Sequence, residues 1–192
     1  SMKEIQRNWI GKSVGARITF EIQTEDGLSK DLVVFTTRPD TIFGVDFMVL
    51  APEHELVSEI TSQQQKDEVD KYLKYVESRS EIDRMAEVKK ITGAFTGAYA
   101  LNPFDSRRVP VWISEYVLAG YGTGAIMAVP CGDERDHKFA RHFNIPITNI
   151  IGDYYNGKEA NPKKYAILQN SDFLDGMVMR DAIEVVINKL EE

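Results

Sequence analysis

The chain has 192 residues, 43% of them hydrophobic, with 23 Lys and Arg against 30 Asp and Glu and a net charge of −7. This is ordinary globular composition, long enough for a real core, and it excludes a free-standing domain that grips nucleic acid by charge alone. A single cysteine excludes a disulfide framework or a Cys-rich zinc site and points to a reducing, cytoplasmic setting; no apolar run predicts a membrane span.

Ser1 ahead of Met2 reads as an added residue, and the mixed polar sequence that follows predicts no signal peptide. The alternation over residues 16–22 predicts a half-buried strand. Asp26-Gly27 marks a turn, and 32–37 is a second strand, ended by Pro39; the two form a hairpin. Residues 45–51 give another strand, and Pro52 suits the start of a helix. Residues 53–90 are rich in charge and helix formers. They predict helices over roughly 53–62 and 66–79, a peripheral helical layer with a solvated charged face. Strands return at 93–101, 109–113 and 116–118. Residues 125–129, nearly continuous in apolar character, predict a strand buried on both faces. A short helix starts near Asp133 and turns Phe139 and Phe143 inward. Strands are predicted at 147–151 and 165–170, and a helix over 180–190. The pattern predicts an α+β fold: a barrel-like, mostly antiparallel sheet decorated with peripheral helices, in a single domain over 1–192.

Two polar clusters sit on this apolar frame. The first, Thr36-Thr37-Arg38-Pro39-Asp40-Thr41, ends a buried strand. It reads as a polar turn capped by Asp40 or Thr41, or as a site whose hydroxyls meet a sugar, an ester oxygen or water. The second runs from Gly122-Thr123-Gly124 to Asp133-Glu134-Arg135-Asp136. Asp133 and Asp136 have the spacing of N-cap and N3. Capping accounts for Asp133 well; Asp136 accounts equally for a carboxylate facing a cleft and holding a cationic ligand group. Gly120, Gly122 and Gly124 do not form a dinucleotide loop, because a strand and not a helix follows. His54, His137 and His142 lack zinc spacing and read as surface histidines. Cys131 near His137 allows a Cys/His hydrolase, although a lone Cys after a buried strand reads more simply as a packed residue.

Asn8-Trp9-Ile10-Gly11-Lys12-Ser13, then Thr36 to Gly44, then Tyr121-Gly122-Thr123-Gly124-Ala125 and Asp133 to Asp136 occur in this order. Together they resemble the editing domain, connective peptide 1, of bacterial-type leucyl-tRNA synthetases. The resemblance covers nearly the whole chain, including 170–176 and the last helix. Asp40 followed by Ile42-Phe43-Gly44, and Arg135 between the acidic residues, favour the leucyl member over its isoleucyl and valyl sisters. One departure is Gly132, where most relatives carry His.

The resemblance implies an excised insert of a larger synthetase without its aminoacylation site. It implies post-transfer editing: hydrolysis of the ester of misaminoacylated tRNA(Leu), such as isoleucyl-, methionyl- or norvalyl-tRNA, with leucine excluded. A second site is needed because one methylene in an apolar pocket is worth only about 1–3 kcal/mol. Asp136 is implied to bind the α-ammonium, Thr41 to narrow the side-chain pocket, and Thr36 and Thr37 to line the ester and ribose. Arg38, Asp133, Arg135 and Tyr121, Gly122, Thr123 and Gly124 are implied as substrate contacts. Editing is implied to need no cofactor or metal, ATP and Mg belonging to the synthetase core. The implied partners are the 3′-terminal aminoacyl-adenosine of tRNA(Leu) and the rest of the synthetase in cis, with no membrane and a monomeric isolated domain. A module that binds aminoacyl-adenosine without hydrolysing it carries the same residues.

Overall fold

The structure, a computed structural model, describes residues 7–10, 13–86 and 90–192, with the backbone alone described at 7–10, 13 and 14. The readings of Ser1 and of the absent signal peptide, the Gly11-Lys12 pair, and residues 87–89 of the helical stretch lie outside these residues.

Seven strands form one mixed sheet: β1 (Arg7–Ile10), β2 (Ser13–Gln23), β3 (Ser29–Thr36), β4 (Phe47–Leu50), β5 (Ala94–Leu101), β6 (Arg108–Ile113) and β7 (Ala125–Ala128). Their order is β1-β2-β5-β6-β4-β7, with β3 paired to β2. Pairing is antiparallel for β1 with β2, β2 with β5, and β5 with β6; β4 runs parallel to β6, with Val49 opposite Trp112. The α+β class and the dominance of antiparallel pairing agree with the sequence. Among the described residues no helix is long and apolar enough to cross a membrane.

The chain divides into two compact units. One holds 20–34 and 47–126. Its hairpin turn closes with Gly27 N–H donating to Thr24 O at 3.1 Å. All four residues of β4 are buried, as befits a strand with a parallel neighbour. The β5–β6 register shifts between Phe95 and Tyr99, where Gly97 takes φ +84, a left-handed value that suits glycine at a bulge. The helical stretch differs from expectation. Residues after Pro52 form turns and only the four-residue α1 (Val57–Ile60); α2 (Lys66–Glu77) follows as predicted, burying Val69, Tyr72 and Val76; α3 (Glu81–Ala86) falls within the predicted helical layer but beyond its two predicted helices. Residues 116–118 form a turn rather than a strand, because their carbonyls serve other partners, Val117 O accepting from Arg84 Nη2 at 3.1 Å.

The other unit holds the described residues through 19, then 35–46 and 127–192. A 3-10 helix, Pro39–Gly44, has every residue buried, and Phe43 meets Phe173 edge-on at 5.5 Å. α4 (Glu134–His142) and α5 (Met179–Glu191) form where capping and period predict them. Residues 147–151 and 165–170 are not strands. Their apolar residues Ile150, Ile151, Ala166 and Leu168 are buried, but pairing is limited to single bonds and one bridge, Ile167 with Val178. Burial alone does not make a strand; a ladder partner does. β7 also departs from expectation: Ala125 and Ala128 are buried, whereas Ile126 and Met127 are only half-buried.

Candidate active site

The Thr-Thr-Arg-Pro-Asp-Thr segment turns sharply because its own side chains bridge its backbone. Thr36 Oγ1 accepts from Arg38 N–H at 2.9 Å, and Thr41 Oγ1 donates to Arg38 O at 2.8 Å. Arg38 forms a two-pronged pair with Asp40, Nε to Oδ1 at 3.0 Å and Nη2 to Oδ2 at 2.8 Å. Asp40 is fully buried, so this pair neutralises its charge and fixes the turn. The segment is therefore not a solvated polar turn.

At the other cluster Asp133 is the N-cap of α4, its Oδ1 accepting from Asp136 N–H at 2.9 Å. Asp136 sits at N3 but does not reach back to the cap. Its Oδ2 accepts from Val129 N–H at 3.0 Å instead. Its Oδ1 is buried and has no hydrogen-bond partner among the described residues. Burial, reinforced by Asp133, pushes the carboxyl pKa up to about 7 against the pull of Val129 N–H and Arg135.

Thr36, Arg38, Thr41, Asp133 and Asp136 line one cavity of about 170 Å³. Its apolar wall comes from Met127, Val129, Ile150, Ile151 and Met179, and Cys131, Gly132 and Lys163 complete it. Five of the predicted site residues thus converge although the sequence separates them by up to a hundred positions. Thr37 lies at the bend just past β3, is exposed and does not line the cavity. Arg135 is exposed on α4 and also lies off the lining. Tyr121 to Gly124 belong to the other unit. There Tyr121 is exposed, and Gly122 and Gly124 take φ +58 and +72, values that suit glycine.

Cys131 is buried, and burial raises its thiol pKa to about 11, so it holds its proton at neutral pH. His137 is buried as well, which corrects its reading as a surface residue. Its Nε2 lies 3.0 Å from Tyr155 Oη, and burial, with Arg141, lowers its pKa. His54 is half-buried; His142 is exposed as expected. Sequence reasoning missed Met127, Ile150, Ile151, Lys163 and Met179 in the lining. Each is brought in by tertiary packing, and no local pattern marks it.

The cavity joins a buried, unpartnered carboxyl oxygen, two hydroxyls and an apolar wall, the equipment for a small ligand with a cation at one end. The class is given by the whole chain: residues 7–191 match the family model described as the editing domain of leucyl-tRNA synthetase. The leucine–tRNA ligase of Christiangramia forsetii is 56% identical over all of this chain, and that of Flavobacterium johnsoniae 54%. The chain spans about a fifth of the length of these relatives, 20% in each case. A crystal structure of a ternary complex of Agrobacterium radiobacter LeuRS with tRNA and LeuAMS superposes with a TM-score of 0.71 and 28% identity, covering 99% of this chain and 19% of that one. The chain belongs to the leucyl-tRNA synthetase editing-domain family.

Proposed function

We propose that the chain hydrolyses the ester linking a wrong amino acid to tRNA(Leu) and spares leucine. The carrying observation is Asp136: a buried carboxylate whose Oδ1 has no hydrogen-bond partner among the described residues, in a cavity also lined by Thr36 and Thr41. Leaving such an oxygen unsatisfied costs roughly 1–3 kcal/mol or more for a charged group. The α-ammonium of an aminoacyl ester supplies the missing donors and the missing charge. A substrate anchored there lays its side chain toward Thr41, which lines the cavity and whose Oγ1 is tethered to Arg38 O. Leucine is excluded by its γ-branch, while unbranched and β-branched chains fit.

Thr36 has one hydroxyl lone pair engaged by Arg38 N–H, which leaves its proton for the ester oxygen or an attacking water. Thr37, beside it, is assigned the terminal ribose. Asp133 fixes Asp136 through the backbone, and Arg135 tunes its charge. The loop Tyr121, Gly122, Thr123 and Gly124 is assigned contacts with the terminal nucleotide. The reaction adds water across the ester and gives a free amino acid and tRNA, without a thiol intermediate; the protonated, buried Cys131 weighs against the Cys/His alternative. The remaining partners are the rest of the synthetase in cis and the 3′ end of tRNA(Leu), in the cytoplasm.

The test is deacylation of isoleucyl- and leucyl-tRNA(Leu). The wild type clears isoleucyl-tRNA only. Asp136→Ala loses this activity by at least about 100-fold, and Thr41→Ala gains hydrolysis of leucyl-tRNA. Full activity of Asp136→Ala removes the anchoring role, and leucyl-tRNA left intact by Thr41→Ala removes the steric gate. A wild type that binds aminoacyl-adenosine without hydrolysing the tRNA ester favours the binding module.

A further inference from the structure

We infer that Lys163 is a substrate-binding residue that takes the phosphate on the 5′ side of the terminal adenosine. This rests on the editing reading above. Two cations line the cavity, Arg38 and Lys163. The guanidinium of Arg38 is spent on the buried carboxylate of Asp40, through two bonds of 3.0 and 2.8 Å. Lys163 is exposed, and among the described residues no carboxylate pairs with it. It is the cation of the lining whose charge is uncommitted.

Its backbone is held in place. Asn161 N–H donates to Cys131 O at 2.9 Å, and Asn161 Oδ1 accepts from Lys163 N–H at 3.1 Å. The 161–163 segment is thereby tied to the turn that leads into Asp133. Gly132 leaves the intervening space open: a Cβ there would meet nothing nearer than 3.9 Å, at Asn161 O and Val129 Cγ1. The polarity of the cavity then sets the orientation of the substrate. The buried end offers Asp136 and the apolar wall, so the amino acid enters first. The nucleotide follows toward solvent, where its phosphate is the anionic group and Lys163 the uncommitted cation. Asp133 is exposed at the same cavity and disfavours an anion, so the reach of a long flexible ammonium matters more than bulk potential.

The probes are a hydrolysis-resistant amide of norvaline with 3′-amino-3′-deoxyadenosine, with and without a 5′-phosphate, bound to the full chain in calorimetry. The 5′-phosphate tightens binding to the wild type by about 1.5- to fivefold, the range for a solvent-facing ion pair. Lys163→Ala abolishes that gain and leaves affinity for the phosphate-free probe unchanged; Lys163→Arg keeps the gain. Phosphate-independent binding by the wild type, or an undiminished gain in Lys163→Ala, overturns the assignment. Equal weakening of both probes overturns it as well, because Lys163 then acts at the amino acid. In each of these cases deacylation of isoleucyl-tRNA by the wild type upholds the editing reading. Failure of either probe to bind, with no deacylation, overturns both.

Discussion

Asp136 shows what a residue-level reading can and cannot reach. Its spacing from Asp133 is legible as N-cap and N3, and the cap is real. What decides its character is Oδ2 turning to Val129 N–H and Oδ1 remaining unpaired, which are tertiary facts. Its pKa of about 7 has two consequences. The unfolded carboxyl releases its proton near 3.9. Between about pH 4 and 7 the folded state therefore binds more protons, and stability falls as pH rises through that window. Urea denaturation at pH 5 and pH 8 will show the wild type more stable at pH 5, by on the order of a few kcal/mol, with Asp136→Asn losing most of the difference. Anchoring an ammonium needs the ionised carboxylate, so the editing kcat/KM rises through about pH 7. It falls again above about 8 as the substrate α-amino group loses its proton, a bell that a profile on isoleucyl-tRNA will resolve.

At the scale of elements, strong periodicity and capping were legible and tertiary pairing was not. The β2–β3 hairpin, α2, α4 and α5 follow from spacing and caps. The apolar stretches at 147–151 and 165–170 look like strands in sequence, yet lack ladders. α3 lies within the predicted helical layer but outside its two predicted helices, and its one buried side chain makes tertiary bonds that no local spacing shows. Arg84, buried, donates through Nε to Glu115 O at 2.8 Å and through Nη2 to Val117 O at 3.1 Å, and its Nη1 pairs with Glu53 at 2.5 Å. Glu115 is held in turn by Arg79 at 2.7 Å. α3 therefore acts as a bracket for the 115–117 turn. Arg84→Met strips the donors from two carbonyls and will destabilise the chain by about 2–4 kcal/mol in urea denaturation. Arg84→Lys, which cannot span three acceptors in one plane, will recover only part of that loss.

For the whole molecule the charge of −7 acquires a meaning that composition alone did not give it. An acidic chain can still handle the end of a nucleic acid if its contacts are with one nucleotide and a cationic amino acid. The isolated chain will accordingly bind uncharged tRNA at about 10⁻⁴ M or weaker at physiological salt, measured by filter binding. Micromolar affinity would show a phosphate-binding surface that the charge pattern conceals. The two compact units occupy five alternating stretches, so the chain passes between them four times. Three of those passages fall inside strands, within β2, β3 and β7. Neither unit exists as a continuous length of polypeptide. A recombination point at any of these three passages would sever a strand, so neither unit can be transplanted as one uninterrupted segment.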